Sequence, residues 1–75
     1  MNLQEYISEL AEKEFRDNFL RVDCFDYYND SFDLIGEVVI QHEEESDLVV
    51  DKLVRIHDTA DSQGVLVALN WTVAD

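Results

Sequence analysis

The segment "VLVALNWTVA", residues 65–74, decides the fold, because the neighbour that this strand pairs with fixes the order of the sheet. Its residues alternate between a strongly apolar set and a semi-apolar set. This pattern predicts a strand that is paired along most of its length. The strongly apolar face consists of Val65, Val67, Leu69, Trp71 and Val73, and the other face of Leu66, Ala68, Asn70, Thr72 and Ala74.

A helix is predicted directly before this strand, beginning near Ser46 and ending before Gly64. Ser46 is a favourable N-cap residue, and Gly64 suits a left-handed helix stop. The inward stripe of this helix is Val49, Leu53, Ile56 and Ala60. The same kind of spacing predicts a first helix over residues 3–16, capped by Asn2. Its apolar positions are Leu3, Ile7, Leu10, Ala11 and Phe15.

Residues 19–42 are predicted to form a hairpin between the two helices. A three-residue loop at 29–31, or a bulge, segregates apolar and polar residues between the two sheet faces. The apolar face then holds Leu20, Val22, Cys24, Tyr28, Phe32, Leu34, Val38 and Ile40. The opposite face holds Arg21, Asp23, Phe25, Tyr27, Asp33, Ile35, Glu37 and Val39. Gly36, inside the second strand, marks a bulge or the close approach of an aromatic side chain.

The predicted element order is α-β-β-α-β, in one compact α+β domain spanning residues 1–75. A right-handed crossover through the second helix sets the third strand parallel to the second. When the third strand skips one position and pairs with the first strand, the order becomes 2-1-3 and all neighbours are antiparallel. We expect this three-stranded antiparallel sheet, with both helices packed on one face and the other face open.

The most unusual property of the chain is its net charge. Asp and Glu number 18 against 5 Lys and Arg, which gives a formal charge of −13. A hydrophobic content of 47% argues for a folded domain over a disordered one. Direct binding to nucleic acid is disfavoured, because that affinity comes from Lys and Arg side chains. The expected partner is a basic protein surface.

Two acidic groups are candidates for partner binding. The first is the run of Glu43, Glu44, Glu45 and Asp47, of which one or two carboxylates would suffice for the dipole of the second helix. The second is on the open sheet face, where Asp23, Asp33 and Glu37 alternate with Phe25 and Tyr27. Carboxylates two residues apart on a strand are about 6–7 Å apart on one side, so such rows can imitate the phosphates of DNA.

No pattern in the sequence predicts catalysis or a cofactor. Cys24 with His42 or His57 is a formal nucleophile and base pair, but the apolar surroundings predicted for Cys24 indicate a buried, inert thiol. Acidic neighbours should favour the protonated form of both histidines. Residues 26–37 have the length of a calcium loop, but their third and sixth positions carry a tyrosine and a serine. We therefore predict no enzyme, no catalytic residue and no metal.

A cytoplasmic location is expected, which is the host cytoplasm if the chain is phage-encoded. Cys24 is the only cysteine, so no internal disulfide can form, and a free thiol suits a reducing compartment. No apolar run approaches the roughly 18 residues of a membrane span, and the N-terminal segment lacks the pattern of a signal peptide.

In size, acidity, element order and lack of catalytic motifs, the chain resembles small phage-encoded inhibitors of the anti-CRISPR and DNA-mimic type. The resemblance is one of class, and no family motif is matched residue by residue. It implies binding to a subunit of a CRISPR-Cas effector where guide RNA or target DNA would lie. The positions that it nominates are Glu43, Glu44, Glu45, Asp47, Asp23, Asp33 and Glu37.

Two alternatives to an inhibitor are compatible with the same sequence. The first is a small acidic adaptor, chaperone or immunity-type protein that binds a protein partner and forms a homodimer through its sheet or first helix. The second is a halophilic origin, which would explain the charge without any partner by solvating every face evenly.

Overall fold

The computed structural model describes residues 2–25 and 31–74 of the chain. In chain order its elements are α1 (Leu3–Phe15), a 3-10 turn (Arg16–Asn18), β1 (Phe19–Cys24), β2 (Leu34–Ile40), α2 (Ser46–Ser62) and β3 (Val67–Val73). The α+β class and the order of helices and strands are therefore confirmed. Tyr27, Tyr28 and most of the predicted loop at 29–31 lie outside the described residues.

The sheet differs from the prediction in the position of β3. Its order is β1-β2-β3, with β1 antiparallel and β3 parallel to β2. The predicted order 2-1-3 and the all-antiparallel pairing are wrong, because β3 pairs with β2 and makes the sheet mixed. Val38, Val39 and Ile40 are all at most 2% exposed, as expected of a central strand that is apolar on both faces. β1 carries Arg21 and Asp23, whose charges suit an edge strand.

The pairing of β1 with β2 follows the predicted register near the hairpin and departs from it at the far end. Val22 lies opposite Val38, as the three-residue loop requires. A bulge then leaves Leu20 as the extra residue between the pairs of Phe19 and Arg21. Phe19 packs against the core, and Leu20 is 42% exposed. The prediction that Leu20 lies on the apolar face is therefore wrong, because the bulge reverses the alternation at that point.

The N-terminal ends of the two helices are capped differently. The Asn2 side-chain oxygen accepts a hydrogen bond from the Glu5 N–H at 2.8 Å, which confirms the cap predicted for α1. The N-cap of α2 is Glu45, whose side chain makes no capping hydrogen bond, and Ser46 is the first helical residue. The prediction of Ser46 as N-cap is therefore wrong by one position.

Gly64 ends α2 as predicted. Its φ of 76° lies in the left-handed region that glycine adopts at low cost. The Gly64 N–H donates to the Asp61 carbonyl at 2.9 Å and the Val65 N–H donates to the Ala60 carbonyl at 3.0 Å. These are the two hydrogen bonds of a Schellman motif, which turns the chain from the helix towards β3.

Both helices pack on the same face of the sheet, as predicted. The buried core combines residues of α1 and α2 with inward residues of all three strands: Ile7, Ala11, Phe15, Val49, Leu53, Ile56, Ala60, Val22, Leu34, Val38, Ile40 and Val67. Gly36 lies on this face, where an added Cβ would be 2.7 Å from the Asp23 carbonyl oxygen. The close approach at Gly36 is therefore made by the backbone of β1 and not by an aromatic side chain.

Candidate protein-binding surface

The sheet face opposite the helices is arranged in rows that run across the strands. We call it the open face and define it by the alternate residues Arg21, Asp23, Phe25, Ile35, Glu37, Val39, Leu66, Ala68, Asn70 and Thr72. The strand register places Asp23 beside Glu37 and Glu37 beside Asn70, which forms an acidic row. Ile35 lies beside Ala68, and its carbonyl accepts a hydrogen bond from the Phe25 N–H. Phe25, Ile35 and Ala68 together form an apolar row.

The acidic row places two negative charges, those of Asp23 and Glu37, directly beside each other. Asp23 and Glu37 are direct partners in the antiparallel ladder, so their Cβ atoms are about 5 Å apart. Like charges in this arrangement destabilise a sheet. Arg21 donates from Nε to the Asp23 carboxylate at 2.9 Å, but both side chains of this pair are substantially exposed, so its stabilising effect is small. The register therefore places two carboxylates side by side on the open face, with Arg21 bonded to one of them.

The apolar row borders an open depression of about 450 Å³. Phe25 is 39% exposed and Phe32 is 41% exposed, and both line the depression. Ile35, Ala68 and Asn70 of the open face also line it. The remaining lining residues belong to the helix-covered side, so the depression is not confined to the open face: Gly36, His57, Val67 and Leu69. Exposed aromatic groups beside fixed charges are typical of a surface that binds another protein.

Asp33 has a structural role that the sequence did not indicate. Its carboxylate accepts a hydrogen bond from the Leu66 N–H at 2.9 Å, and its own N–H donates to the Leu66 carbonyl at 2.7 Å. These bonds join the start of β2 to the segment that enters β3. Of the three acids predicted on the open face, Asp23 and Glu37 form the acidic row, and Asp33 anchors the sheet.

Glu44 joins three parts of the fold and is not a free member of the acid run. One carboxylate oxygen accepts a hydrogen bond from the Lys52 ammonium at 2.5 Å, and the other accepts one from the Asn18 amide at 2.6 Å. The Asn18 side chain also donates to the His42 carbonyl and accepts from the His42 N–H. Lys52 lies 5.0 Å from the centre of the Phe15 ring, a cation–π distance. The β2–α2 connection is thereby joined to α1.

The pKa of Glu44 reflects these contacts. Burial alone would raise it, but the hydrogen bonds from Lys52 and Asn18 and the charge of Lys52 outweigh burial, so that the pKa is lowered. The Glu44 side chain is only 18% exposed, and that of Lys52 is 22% exposed. Sequence analysis missed Asn18 and Lys52, because the contacts that they make with Glu44 depend on the tertiary fold.

The rest of the acid run is exposed at the beginning of α2. Asp47 lies in the first turn of the helix, where a carboxylate favourably opposes the dipole, and Glu43 and Glu45 precede it. β2 has seven residues and spans about 20 Å, with Asp33 before its first residue and Glu43 beyond its last. The acid run therefore lies beyond one end of β2, whereas Glu37 is the central residue of this strand and Asp33 precedes it.

Carboxylates occur on both sides of the sheet. Glu5, Glu9 and Glu12 are exposed on α1, and Asp51, Asp58 and Asp61 are exposed on α2, whereas Asp23 and Glu37 lie on the open face. The acidity is consequently spread over both layers instead of being confined to one flank. What distinguishes the open face is the direct opposition of its two carboxylates.

The environments of Cys24 and His57 differ from those predicted. Cys24 is exposed, so the expectation of a buried thiol is wrong. It is the last residue of β1 and pairs with Gly36, which has no side chain that could cover it. Partial burial still raises the pKa of the Cys24 thiol, and the negative charge of the adjacent Asp23 raises it further. The nucleophilic thiolate is therefore disfavoured. Burial lowers the pKa of His57 despite the opposing charge of Asp58. The predicted preference for a protonated His57 is therefore wrong, and its Nε2 accepts a hydrogen bond from the Leu69 N–H at 3.3 Å.

Within residues 2–25 and 31–74, no three side chains among histidine, cysteine, aspartate and glutamate are grouped as a metal ion would require. Over the same residues, neither helix has the length and apolar character needed to cross a bilayer.

The fold and the open face define a class, namely small acidic α+β proteins with an uncovered mixed sheet. Comparison of the chain with protein-family models, curated proteins and solved structures finds no match.

Proposed function

We propose that this chain is an acidic inhibitor or decoy that binds a basic, nucleic-acid-binding surface of another protein through its open face. The observation that carries the proposal is the direct opposition of Asp23 and Glu37. An opposite-charge pair at such positions contributes about 0.2–1 kcal/mol, and a like-charge pair works against folding. A cationic side chain of a partner, placed between these carboxylates, would convert the repulsion into two attractions.

The apolar row supports a protein partner for this face. Phe25 of this row is 39% exposed, and Leu66, which is on the open face outside the row, is 50% exposed. Aromatic and aliphatic groups can bury apolar surface area against a partner, which gives affinity. The charges beside them select a partner whose surface has the opposite charge. Bare nucleic acid offers the wrong sign for this surface.

The net charge supports a basic partner. A formal charge of −13 attracts positive surfaces over distances of about a Debye length, roughly 8 Å at physiological ionic strength. Surfaces that bind nucleic acid concentrate Lys and Arg, and a compact anionic protein can occupy them by charge alone. The resemblance noted from the sequence makes a Cas effector the first target to assay.

The test is competition for an effector against its labelled target DNA, with charge-matched variants. Asp23→Lys with Glu37→Lys reverses the acidic row, and Glu9→Lys with Glu12→Lys makes the same change of net charge on α1. We expect the first double variant to weaken inhibition at least about tenfold more than the second. Equal losses would indicate attraction by net charge alone and would contradict a site on the open face.

A third variant examines the other acidic group. Glu43→Lys with Glu45→Lys leaves Glu44 and its contacts in place and reverses only the exposed carboxylates of the run. We expect it to behave like the α1 variant. Loss of inhibition in this variant alone would move the site to the beginning of α2. Tyr27, outside the described residues, stays a predicted contact.

The adaptor alternative is favoured by one observation, the exposed apolar row. An adaptor that uses chiefly Phe25 and Leu66 would keep its partner when salt rises from about 0.15 M to roughly 0.5 M, whereas binding by the acidic row would weaken as the Debye length shortens. Binding to the same target at the two salt concentrations distinguishes the two functions.

A further inference from the structure

β3 is an edge strand that directs half of its backbone away from the sheet. The Leu66 carbonyl accepts from the Leu34 N–H and the Ala74 N–H donates to the Ile40 carbonyl, so even-numbered residues form the ladder with β2. Alternate residues of a strand point their N–H and C=O groups to opposite sides. The outward groups of β3 consequently belong to Val67, Leu69, Trp71 and Val73.

Two of these outward groups have only light protection. The Leu69 N–H donates to the His57 Nε2 at 3.3 Å, which is long for a hydrogen bond. The Trp71 N–H donates to the side-chain oxygen of the preceding residue, Asn70, at 2.8 Å. Both partners are side chains that can rotate away, so a second strand could replace them.

The two edge strands of the sheet, β1 and β3, differ in how well they are protected against pairing with another strand. Edge strands are usually protected by charges, proline, bulges or covering elements. β1 carries Arg21 and Asp23 and has a bulge at Leu20, and its Val22 carbonyl accepts a hydrogen bond from the Gln4 amide of α1 at 3.1 Å. β3 has an unbroken register and belongs to a segment, residues 62–74, without any Asp, Glu, Lys or Arg. In a chain of charge −13, this segment is uncharged, and its edge lacks the charged side chains and the bulge that β1 has.

We propose that the β3 edge pairs with the same edge of a second copy of this chain, in antiparallel orientation about a two-fold axis at Asn70. Asn70 is the central residue of Val67–Val73, so this register pairs all four outward residues of each strand. Leu69 of one copy then lies opposite Trp71 of the other, and Val67 lies opposite Val73. The result is a continuous six-stranded sheet.

The absence of charge makes the β3 edge the place where two copies of this chain repel each other least. Two copies of charge −13 repel each other, so they can approach closely only where each surface is uncharged. The β3 edge meets that condition, and a closed two-fold contact uses the same patch on both copies. A basic partner would gain nothing from this segment, because it has no carboxylate to contact.

The flank of α2 above the edge provides an independent observation. His57 reaches the edge N–H of Leu69, so its flank of α2 overlies the edge of β3. Val50 and Val54 precede His57 by seven and three residues and therefore share this flank, on which Asp61 follows His57 by four residues. They are 45% and 48% exposed. Pairing of two β3 edges would bring the two α2 flanks together and cover these valines.

Cysteine cross-linking tests the position of the axis. In a Cys24→Ser background, Asn70→Cys places two thiols opposite each other in a pair that is not hydrogen-bonded, with Cβ atoms about 4.5–5.5 Å apart before adjustment. Thr72→Cys, on the same strand and face, places its two thiols about 13 Å apart along the strands. We expect mild oxidation to give a covalent dimer of the first variant and none of the second. Cross-linking of the second variant to the same extent would overturn the proposal.

The mass of the unmodified chain in solution gives a second test. Sedimentation equilibrium should give twice the chain mass of 8.7 kDa, with dimerisation strengthened when salt screens the repulsion between copies. Asn70→Lys puts two cations opposite each other at the axis and should weaken dimerisation at least about tenfold, whereas Thr72→Lys, which faces Ala68, should change it by less than about threefold. Circular dichroism checks that both variants are folded. A monomer at all concentrations and salt levels would overturn the proposal.

Discussion

The acid run before α2 and the acidic row of the open face differ in whether their carboxylates have partners inside the chain. Glu44 accepts hydrogen bonds from Lys52 and Asn18, so its charge is balanced within the chain. Asp23 and Glu37 face each other on the open face, with only the exposed Arg21 as a nearby cation among the described residues. A carboxylate with internal partners is explained by folding. A pair of carboxylates that opposes folding is the better candidate for binding a cation from outside.

The largest expected effect is loss of the Glu44 contacts. Glu44→Ala should lower the free energy of unfolding by about 1–2 kcal/mol, because hydrogen bonds to charged groups are lost and Lys52 keeps its charge without this partner. Glu43→Ala, one residue away and exposed, should change it by less than about 0.5 kcal/mol. Urea denaturation of both variants measures the difference. Equal effects would show that Glu44 does not differ from the rest of the acid run.

A smaller effect is expected in the pH dependence of stability. The pKa of Glu44 is lowered by folding, so the unfolded chain binds its proton more readily. The contribution of Glu44 is therefore complete above the ordinary glutamate pKa and is lost as the pH falls through the lowered value. Urea denaturation of the unmodified chain and of Glu44→Gln should show stabilities that converge as the pH falls from neutrality to below the ordinary glutamate pKa. A constant difference across that range would contradict the assignment.

The smallest effect has the opposite sign and concerns the open face. Glu37→Gln removes the repulsion with Asp23 and should raise the free energy of unfolding by about 0.2–0.5 kcal/mol. Glu9→Gln makes the same change of charge on α1 but removes a carboxylate four residues before Lys13, so it should be neutral or slightly destabilising. Thermal and urea denaturation compare the two variants. Stabilisation of both to the same degree would indicate relief of net charge, not of a specific pair.

Local patterns in the sequence predicted the elements but not the sheet order. The α2 stripe, the Asn2 cap and the Gly64 stop follow from spacing and backbone preference within one helix. The position of β3 depends on which edge of the hairpin is free to pair, which no single segment encodes. The consecutive Val38, Val39 and Ile40 of β2 were the signal for a central strand.

The candidate site was only partly predictable for the same reason. Alternation placed Asp23 and Glu37 on one face, and the hairpin register then made them partners. The sequence could not show that Asp33 bonds to Leu66 or that Glu44 bonds to Lys52, because each pair joins different elements. Asn70 was assigned to the correct face, but its place beside Glu37 follows from the parallel pairing of β3.

The central position of β2 also affects biosynthesis. When β1, β2 and the first turns of α2 have left the ribosome, one side of β2 still has no neighbour, because its second neighbour is encoded later. Until β3 is synthesised, the backbone beside Val38, Val39 and Ile40 is open to pairing with other nascent chains. The high density of negative charge on the part already made opposes the approach of such chains to one another.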